Sequence, residues 1–298
     1  MAIEKQTHVF KVVGDCRIRA DVHRPDDDVV RPVVVWIHGG ALILGARTSV
    51  EFGPHLPLYL NAGYAVVSID YRLAPQTKLT YIIEDLRDAI NWVRAEGPGL
   101  FRIDPRRLCV VGHSAGGYLT LMSGFCVRPR PRALVAFYGY GDIIGDWYSK
   151  PDPHYCQQPA VAREDADAAR AGPEVSESPF EDNARGLFYL YCRQHGLWPQ
   201  ELTGHDPRRE PEAFRPFCPV QNVDAHYPPT MLLHGNSDTD VPYEQSALMA
   251  KALKRAGVDH ELITIHGGGH GFDFEEPPKP DVTKALQRVT AFLARHTK

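Results

Sequence analysis

No apolar run in this 298-residue chain approaches the roughly 20 residues that a membrane-crossing helix needs. The opening residues, MAIEKQTHVF, lack the apolar core of a secretory signal. Together these absences predict a cytoplasmic protein with no membrane span. Cysteine is sparse and unpatterned. Cys16, Cys109, Cys126, Cys156, Cys192 and Cys218 form no C-x-x-C pair and show no metal-ligand spacing. No metal centre is expected. Cys109 and Cys126 stand in apolar surroundings as inert core residues, and a Cys192–Cys218 disulfide is left open. An excess of one charge is lacking too. The net charge is −4 with both signs spread along the chain, which excludes the electrostatic footprint of a nucleic-acid binder. The basic run RPRPR, from Arg128 to Arg132, is short and broken by proline, and reads as a solvated loop. Internal repeats and low-complexity tracts are also missing.

What is present is a globular balance, 43% hydrophobic and 23% charged, enough for a substantial core. Short apolar runs alternate with helical patterns. HVFKVV and CRIRADVH read as two opening strands. PVVVWIHGG, AVVSIDY, LCVVGHS, ALVAFYGY, TMLLHGN and HELITIH follow as further strands. Between them, Ile82, Leu86, Ala89, Ile90 and Val93 share one helical face, and Gly97 is placed to end that helix. Further helices are predicted from about Ala115 and over residues 243–256. A last one has Asp281 as its N-cap and a stripe of Val282, Leu286, Val289 and Leu293. Repeated strand–helix alternation predicts an α/β domain with a mainly parallel sheet flanked by helices.

One stretch breaks the rhythm. From about Gly141 to Pro229 no strand pattern appears, and prolines and charges mix with Trp147, Tyr148, Tyr155, Phe188, Tyr189, Tyr191, Trp198, Phe214 and Phe217. A structureless loop of that length is unusual in a compact domain. A helical decoration is one reading; a cap over a pocket is the favoured one. The aromatics suit either a pocket for an apolar or aryl ester or the cap's own core.

Four motifs carry chemistry. In GHSAG, residues 112–116, glycines flank a serine at −2 and +2, permitting a sharp turn that lifts the hydroxyl out of the sheet. Such glycines also suit any close helix–strand contact, but the strand before and helix after favour Ser114 as a nucleophile. HGGAL, residues 38–42, ends another strand. Gly39, Gly40 and Ala41, with Ala115, are candidate N–H donors to a tetrahedral oxyanion, each worth about 3 kcal/mol. His38 reads as a loop-fixing residue. HGNSDTDVP, residues 234–242, offers two acids, both also compatible with a turn. Asp238 lies nearer the stiff strand end and is preferred over Asp240 to orient an imidazole. HGGGHGFDF, residues 266–274, offers His266 close to the strand and His270 beyond three glycines. His270 is the candidate base and His266 the structural residue. His113, beside the serine, projects away from the hydroxyl on such a turn. It is a candidate substrate-pocket residue or a satisfied polar neighbour. All four motifs end predicted strands, the edge at which open α/β sheets bind ligands.

On these residues the chain resembles the α/β-hydrolase superfamily, whose triad runs in the order Ser114, Asp238, His270. More narrowly, it resembles the carboxylesterases related to hormone-sensitive lipase and their feruloyl-esterase-like relatives. HGGA, DYRLAP at 70–75, GHSAGG at 112–117, HGNSDTDVP and GGGHGF carry the likeness. It extends over residues 5–140 and 225–298. The resemblance implies a catalytic domain of 1–140 and 225–298 with a cap or lid of 141–224, and a DYRLAP segment that supports the oxyanion loop. There are departures. Ala41 stands where the family has a third glycine, though its N–H remains. GHSAGG replaces the usual GDSAGG. With HGG at residue 38, the long N-terminal cap of the hormone-sensitive lipase group is missing, so a lid must come from the middle insertion. The expected activity is serine hydrolysis of small to medium carboxylic esters with no cofactor and a small-molecule ester as the partner. An arylformamidase-like amide hydrolase with the same triad is the enzymatic rival. A ligand receptor on this scaffold is the non-enzymatic one, and the presence of all three triad residues argues against it. The oligomeric state, a homodimer included, is left open.

Overall fold

Arg31–Ile37 reads RPVVVWI, and its alternate side chains go to opposite faces of a sheet. Val33, Val35 and Ile37 join one apolar core, while Val34 and Trp36 join another. A strand apolar on both faces belongs in the interior of a parallel sheet covered by helices. The computed structural model describes residues 2–275 and 277–298. Its sheet contains β1 (Ile3–Val13), β2 (Cys16–Pro25), β3 (Arg31–Ile37), β4 (Ala65–Ile69), β5 (Ile103–His113), β6 (Leu134–Phe137), β7 (Thr230–Gly235) and β8 (His260–Ile265). The spatial order is β1-β2-β4-β3-β5-β6-β7-β8. The pairs β1–β2 and β2–β4 are antiparallel, and every later pair is parallel. The ends of β3, β5, β7 and β8 therefore share one edge, which brings the four motifs together.

The helices are α1 (His55–Asn61), α2 (Leu79–Phe101), α3 (Ala115–Cys126), α4 (Asp146–Ser149), α5 (Arg163–Asp167), α6 (Asn183–His195), α7 (Trp198–Thr203), α8 (Glu244–Arg255) and α9 (Pro280–His296). Residues of α2, α3 and α8 fill the core on one face of the sheet, and those of α1 and α9 the core on the other. No helix among the described residues is long and apolar enough to cross a membrane.

Two helix ends differ from the sequence expectation. Helix α2 runs through Gly97 and Pro98 to Phe101. Gly97 serves packing rather than termination: a Cβ there would lie 2.9 Å from Ile103 and from the Phe101 ring. Arg102, at φ 51°, takes the left-handed turn that ends the helix. Helix α9 begins at Pro280 with Lys279 as its N-cap, because proline at the first position leaves no N–H to satisfy. Asp281 sits inside the first turn. Cys192 and Cys218 are both free thiols, so the disulfide left open by the sequence does not form here.

Residues 141–229 hold short helices and no strand; one isolated bridge joins Gly45 to Ser178. Tyr148, Phe188, Trp198 and Phe214 are buried in the same core as α2 and α3. Most of the segment's aromatics are thus packing residues. Arg185 of α6 is buried and donates to the carbonyls of Ile43 (2.9 Å) and Ala74 (2.6 Å). Trp198 donates to the Ala41 carbonyl at 3.0 Å. Both tie the insertion to the HGGAL loop.

The start of α3 lies unusually close to its neighbours. A Cβ on Gly112 would stand 2.2 Å from the Gly116 carbonyl oxygen, and one on Gly116 would stand 2.1 Å from that of Ile37. Backbone cannot yield such space without shifting the strand. Gly112→Ala and Gly116→Ala should each destabilise the fold by about 3 kcal/mol or more in urea unfolding. Gly99→Ala should do the opposite. It lies in α2 with nothing near its missing methyl, so a gain of about 0.5–1 kcal/mol is expected from helix propensity.

Candidate active site

Strand β5 ends at His113 and α3 begins at Ala115, so the whole reversal falls on Ser114, at φ 56° and ψ −119°. That conformation is strained for a residue with a side chain. The Ser114 N–H donates to the Phe137 carbonyl at 2.9 Å, anchoring the turn to β6. As the first residue of α3, Ala115 has an N–H with no partner within the helix.

The structure brings Ser114, His270 and Asp238 into one line. His270 Nε2 lies 3.0 Å from Ser114 Oγ, and His270 Nδ1 lies 2.8 Å from Asp238 Oδ2. The Asp238 side chain is fully buried. Its Oδ1 accepts the backbone N–H groups of Asp240 (2.8 Å) and Val241 (2.9 Å), and His234 Nε2 stands 3.3 Å from Oδ2. Burial pushes this carboxyl up, but the bonds from His234 and His270 outweigh it and hold it well below the usual carboxylate range. His270 moves the other way. Burial disfavours its charged form, yet the carboxylates of Asp240, Asp238 and Asp273 outweigh that, and its pKa is raised. Asp240 stands on the opposite side of the ring from Asp238, its Oδ2 3.4 Å from Nε2. His266 is exposed at the end of β8.

Gly39, Gly40 and Ala41 line the cleft beside Ser114. Gly39 lies closest: a Cβ on it would be 3.2 Å from Ser114 Cβ. Gly40, Ala41 and Leu42 all have positive φ, at 102°, 55° and 64°. The resulting loop is pinned by Ile43 and Leu44 N–H groups on the Gly40 carbonyl, both 2.8 Å, and by the Ala74 N–H on the Leu42 carbonyl, 2.8 Å. The DYRLAP segment braces it further. The Tyr71 ring stacks on His38 at 4.3 Å, and its hydroxyl donates to the His38 carbonyl at 3.0 Å. Burial pushes the His38 imidazole down to about 4, so it stays neutral.

The cleft has a volume of about 480 Å³. Trp36, Leu44, Phe274 and Tyr138 give it an apolar wall, while Phe52 and Phe180, 68% and 56% exposed, stand at its rim. Its shape can admit a small or medium acyl or leaving group to Ser114.

The esterase Est2 of the planctomycete Thermogutta terrifontis, with propionate bound, superposes with a TM-score of 0.70 at 21% identity, over 98% of this chain and 94% of that one. A Staphylococcus aureus Mu50 protein of unknown function gives a TM-score of 0.73 at 21% identity, over 100% of both chains. The chain has the α/β-hydrolase fold. A BD-FAE family model matches residues 20–130 of this chain, and a prolyl oligopeptidase family model matches residues 175–298. Curated relatives include the non-reducing polyketide synthases Preu3 of Preussia isomera and ausA of Aspergillus calidoustus. Each is 28% identical, over 89% and 94% of this chain respectively. This chain spans only 12% and 14% of their lengths.

Sequence reasoning missed a second polar cluster behind Ser114. His113 lines the cleft, and its Nε2 is 3.1 Å from Asp273 Oδ2 and 3.1 Å from His55 Nε2. His55 Nε2 lies 2.6 Å from the same carboxylate oxygen. All three residues are buried. Their ligand atoms lie within 4.8 Å of one another, the spacing a metal ion would need. The 2.6 Å contact, however, is that of a charge-assisted hydrogen bond, whereas two donors on one zinc ion stand about 3.3 Å apart. His55 carries no sequence signal, being a lone histidine opening a short helix. Asp273 lies three residues past His270 in the HGGGHGFDF motif, and that nearness to the candidate base is the signal that could have found it.

Burial, reinforced by His55, pushes the His113 imidazole down to about 4, despite Asp273. Between about pH 6.5 and 4 the unfolded chain therefore binds a proton here that the folded chain does not, and stability falls as pH falls. In His113→Gln the loss of stability from pH 7 to pH 4.5, read by urea unfolding, should be smaller by on the order of 2 kcal/mol.

Proposed function

We propose that this protein is a serine hydrolase that cleaves carboxylic esters through an acyl-enzyme. The observation that carries the reading is the continuous hydrogen-bonded line Asp238–His270–Ser114, placed on a strained elbow at the floor of an apolar cleft. In this reading His270 Nε2 takes the proton of Ser114 as Oγ attacks the ester carbonyl. Asp238, ionised and buried, holds the Nδ1–H and stabilises the imidazolium. The oxyanion is received by the Ala115 N–H at the start of α3 and by the N–H groups of Gly40 and Ala41, with Gly39 in reserve. His270 then protonates the leaving alcohol, and water releases the acyl group by the same route in reverse.

The cap role of residues 141–224 belongs to the same proposal. Phe180 at the rim and Tyr189 in the wall come from that segment, so it shapes what reaches Ser114. Substrates of small to medium size fit the cleft volume.

Incubation with a fluorophosphonate probe should label wild-type protein and leave Ser114→Ala unlabelled. Folded wild-type protein that stays unlabelled would refute the reading. On p-nitrophenyl butyrate, Ser114→Ala and His270→Ala should each lower kcat by on the order of 10³-fold or more. The base must be neutral to act, and the carboxylates around His270 raise its pKa. The acid limb of kcat/KM should therefore lie above the ordinary histidine value of about 6.5.

A further inference from the structure

Asp240 is held for a purpose that the triad does not explain. Its Oδ1 is saturated, accepting Tyr155 OH (2.8 Å), Tyr189 OH (2.5 Å) and Arg193 Nη1 (2.7 Å). The Arg193 guanidinium is itself buried, bonded through Nη2 to Asp152 at 2.6 Å, with the rings of Trp147, Tyr148, Tyr155 and Tyr189 within 6 Å. Oδ2 is different. Among the described residues no hydrogen bond reaches it, and its neighbour is His270 Nε2 at 3.4 Å. Asp240 lines the cleft. A carboxylate oxygen thus faces the nitrogen that would hand a proton to the leaving atom, in a largely apolar cleft.

The leaving atom must lie about 3 Å from Nε2 to be protonated. With Nε2 and Oδ2 3.4 Å apart, one atom can contact both. An ester oxygen leaving there has only lone pairs to show a carboxylate. The nitrogen of a secondary amide has an N–H. As that nitrogen pyramidalises and turns its lone pair to His270, the N–H turns elsewhere into the cleft, where an unmet donor is costly.

We propose that the site cleaves secondary amides as well as esters, with Asp240 Oδ2 accepting the N–H of the leaving nitrogen. This rests on the reading of Ser114 as the nucleophile. In the acylation step the Ser114 Oγ–carbon bond forms and the carbon–nitrogen bond breaks. The nitrogen keeps the bonding electron pair and takes the proton that His270 received from Ser114. The amine departs with its original N–H still donated to Asp240. Water then adds to the acyl carbon as His270 takes one of its protons, the bond from that carbon to Ser114 Oγ breaks with Oγ keeping the electron pair, and His270 passes the proton to Oγ as the carboxylic acid leaves. Burial opposes ionisation of Asp240, but His270, Arg193 and the two tyrosines outweigh it and keep the carboxyl below its usual range. The other charged or titratable groups facing His270 are Asp238, Asp273, His113 and Tyr138.

The test compares p-nitrophenyl butyrate, N-(4-nitrophenyl)butanamide and the N-methylated form of that amide, which has no N–H. Each rate is divided by the alkaline hydrolysis rate of the same compound. Wild-type protein should turn over the secondary amide and prefer it to the N-methyl amide by about tenfold or more. In Asp240→Asn, the three donors around Oδ1 will hold the carboxamide oxygen, leaving its NH₂ toward the cleft. The amide-to-ester ratio of kcat/KM should then fall at least about tenfold, and the N-methyl discrimination should vanish. Arg193 keeps Asp152 in this variant, and a melting curve checks that it folds. The wild-type comparison of the two amides tests the proposal without any variant. Equal losses on ester and amide in folded Asp240→Asn would overturn it, as would wild-type ester turnover with no preference for the N–H amide. Failure of the nucleophile reading shows itself separately, as wild-type protein that neither turns over the ester nor takes the fluorophosphonate.

Discussion

The contact between the Gly116 Cα and the Ile37 carbonyl governs the arrangement of the strand ends. With no methyl between them, α3 begins directly against β3, and the reversal from β5 is confined to Ser114. The same closeness puts the HGGAL loop, which leaves β3 one residue after Ile37, alongside the serine. Had the helix started a few ångströms further out, Gly39 would not lie against Ser114 Cβ, and His270 would have a longer gap to span. Loop, elbow and histidine are thus consequences of one backbone approach that only glycine permits.

Charge around His270 is distributed with a clear asymmetry. The Asp238 side chain is fully buried; its Oδ2 holds one ring nitrogen while its Oδ1 ties it to the backbone of its own turn. Asp240 approaches the other nitrogen while anchored from behind by Arg193. Asp273 adds a more distant negative field, shared with His113 and His55. Three carboxylates in a largely apolar surrounding make an imidazolium easier to form than it would be in water, although burial alone would have the opposite effect.

The parallel sheet was legible because β3, β7 and the second half of β5 are apolar without alternation, the pattern of strands covered on both faces. The positions of Ser114, Asp238 and His270 at strand ends were legible for the same reason. What lay beyond reading came from two sources. Side chains such as His55 and Arg193 meet the site from helices whose own pattern says nothing about where they dock. Local punctuation also misled. Gly97 resembled a helix stop but is a packing position, and Asp281 resembled a cap although Pro280 had already opened the helix. Asp240 was weighed only as a substitute for Asp238. Spacing along the chain cannot tell which side of an imidazole a carboxylate will reach.

Arg193 has a consequence for how this scaffold can change. Its guanidinium binds Asp152 and Asp240 at once, and its ring cage is drawn from residues 147 to 189. The insertion and the acid-bearing loop are therefore not separable parts. A foreign insertion grafted between β6 and β7 would strip Asp240 of its counter-ion unless the graft brought its own cation to the same place. The natural seam for recombination runs through the middle of the cleft rather than along the edge of the insertion.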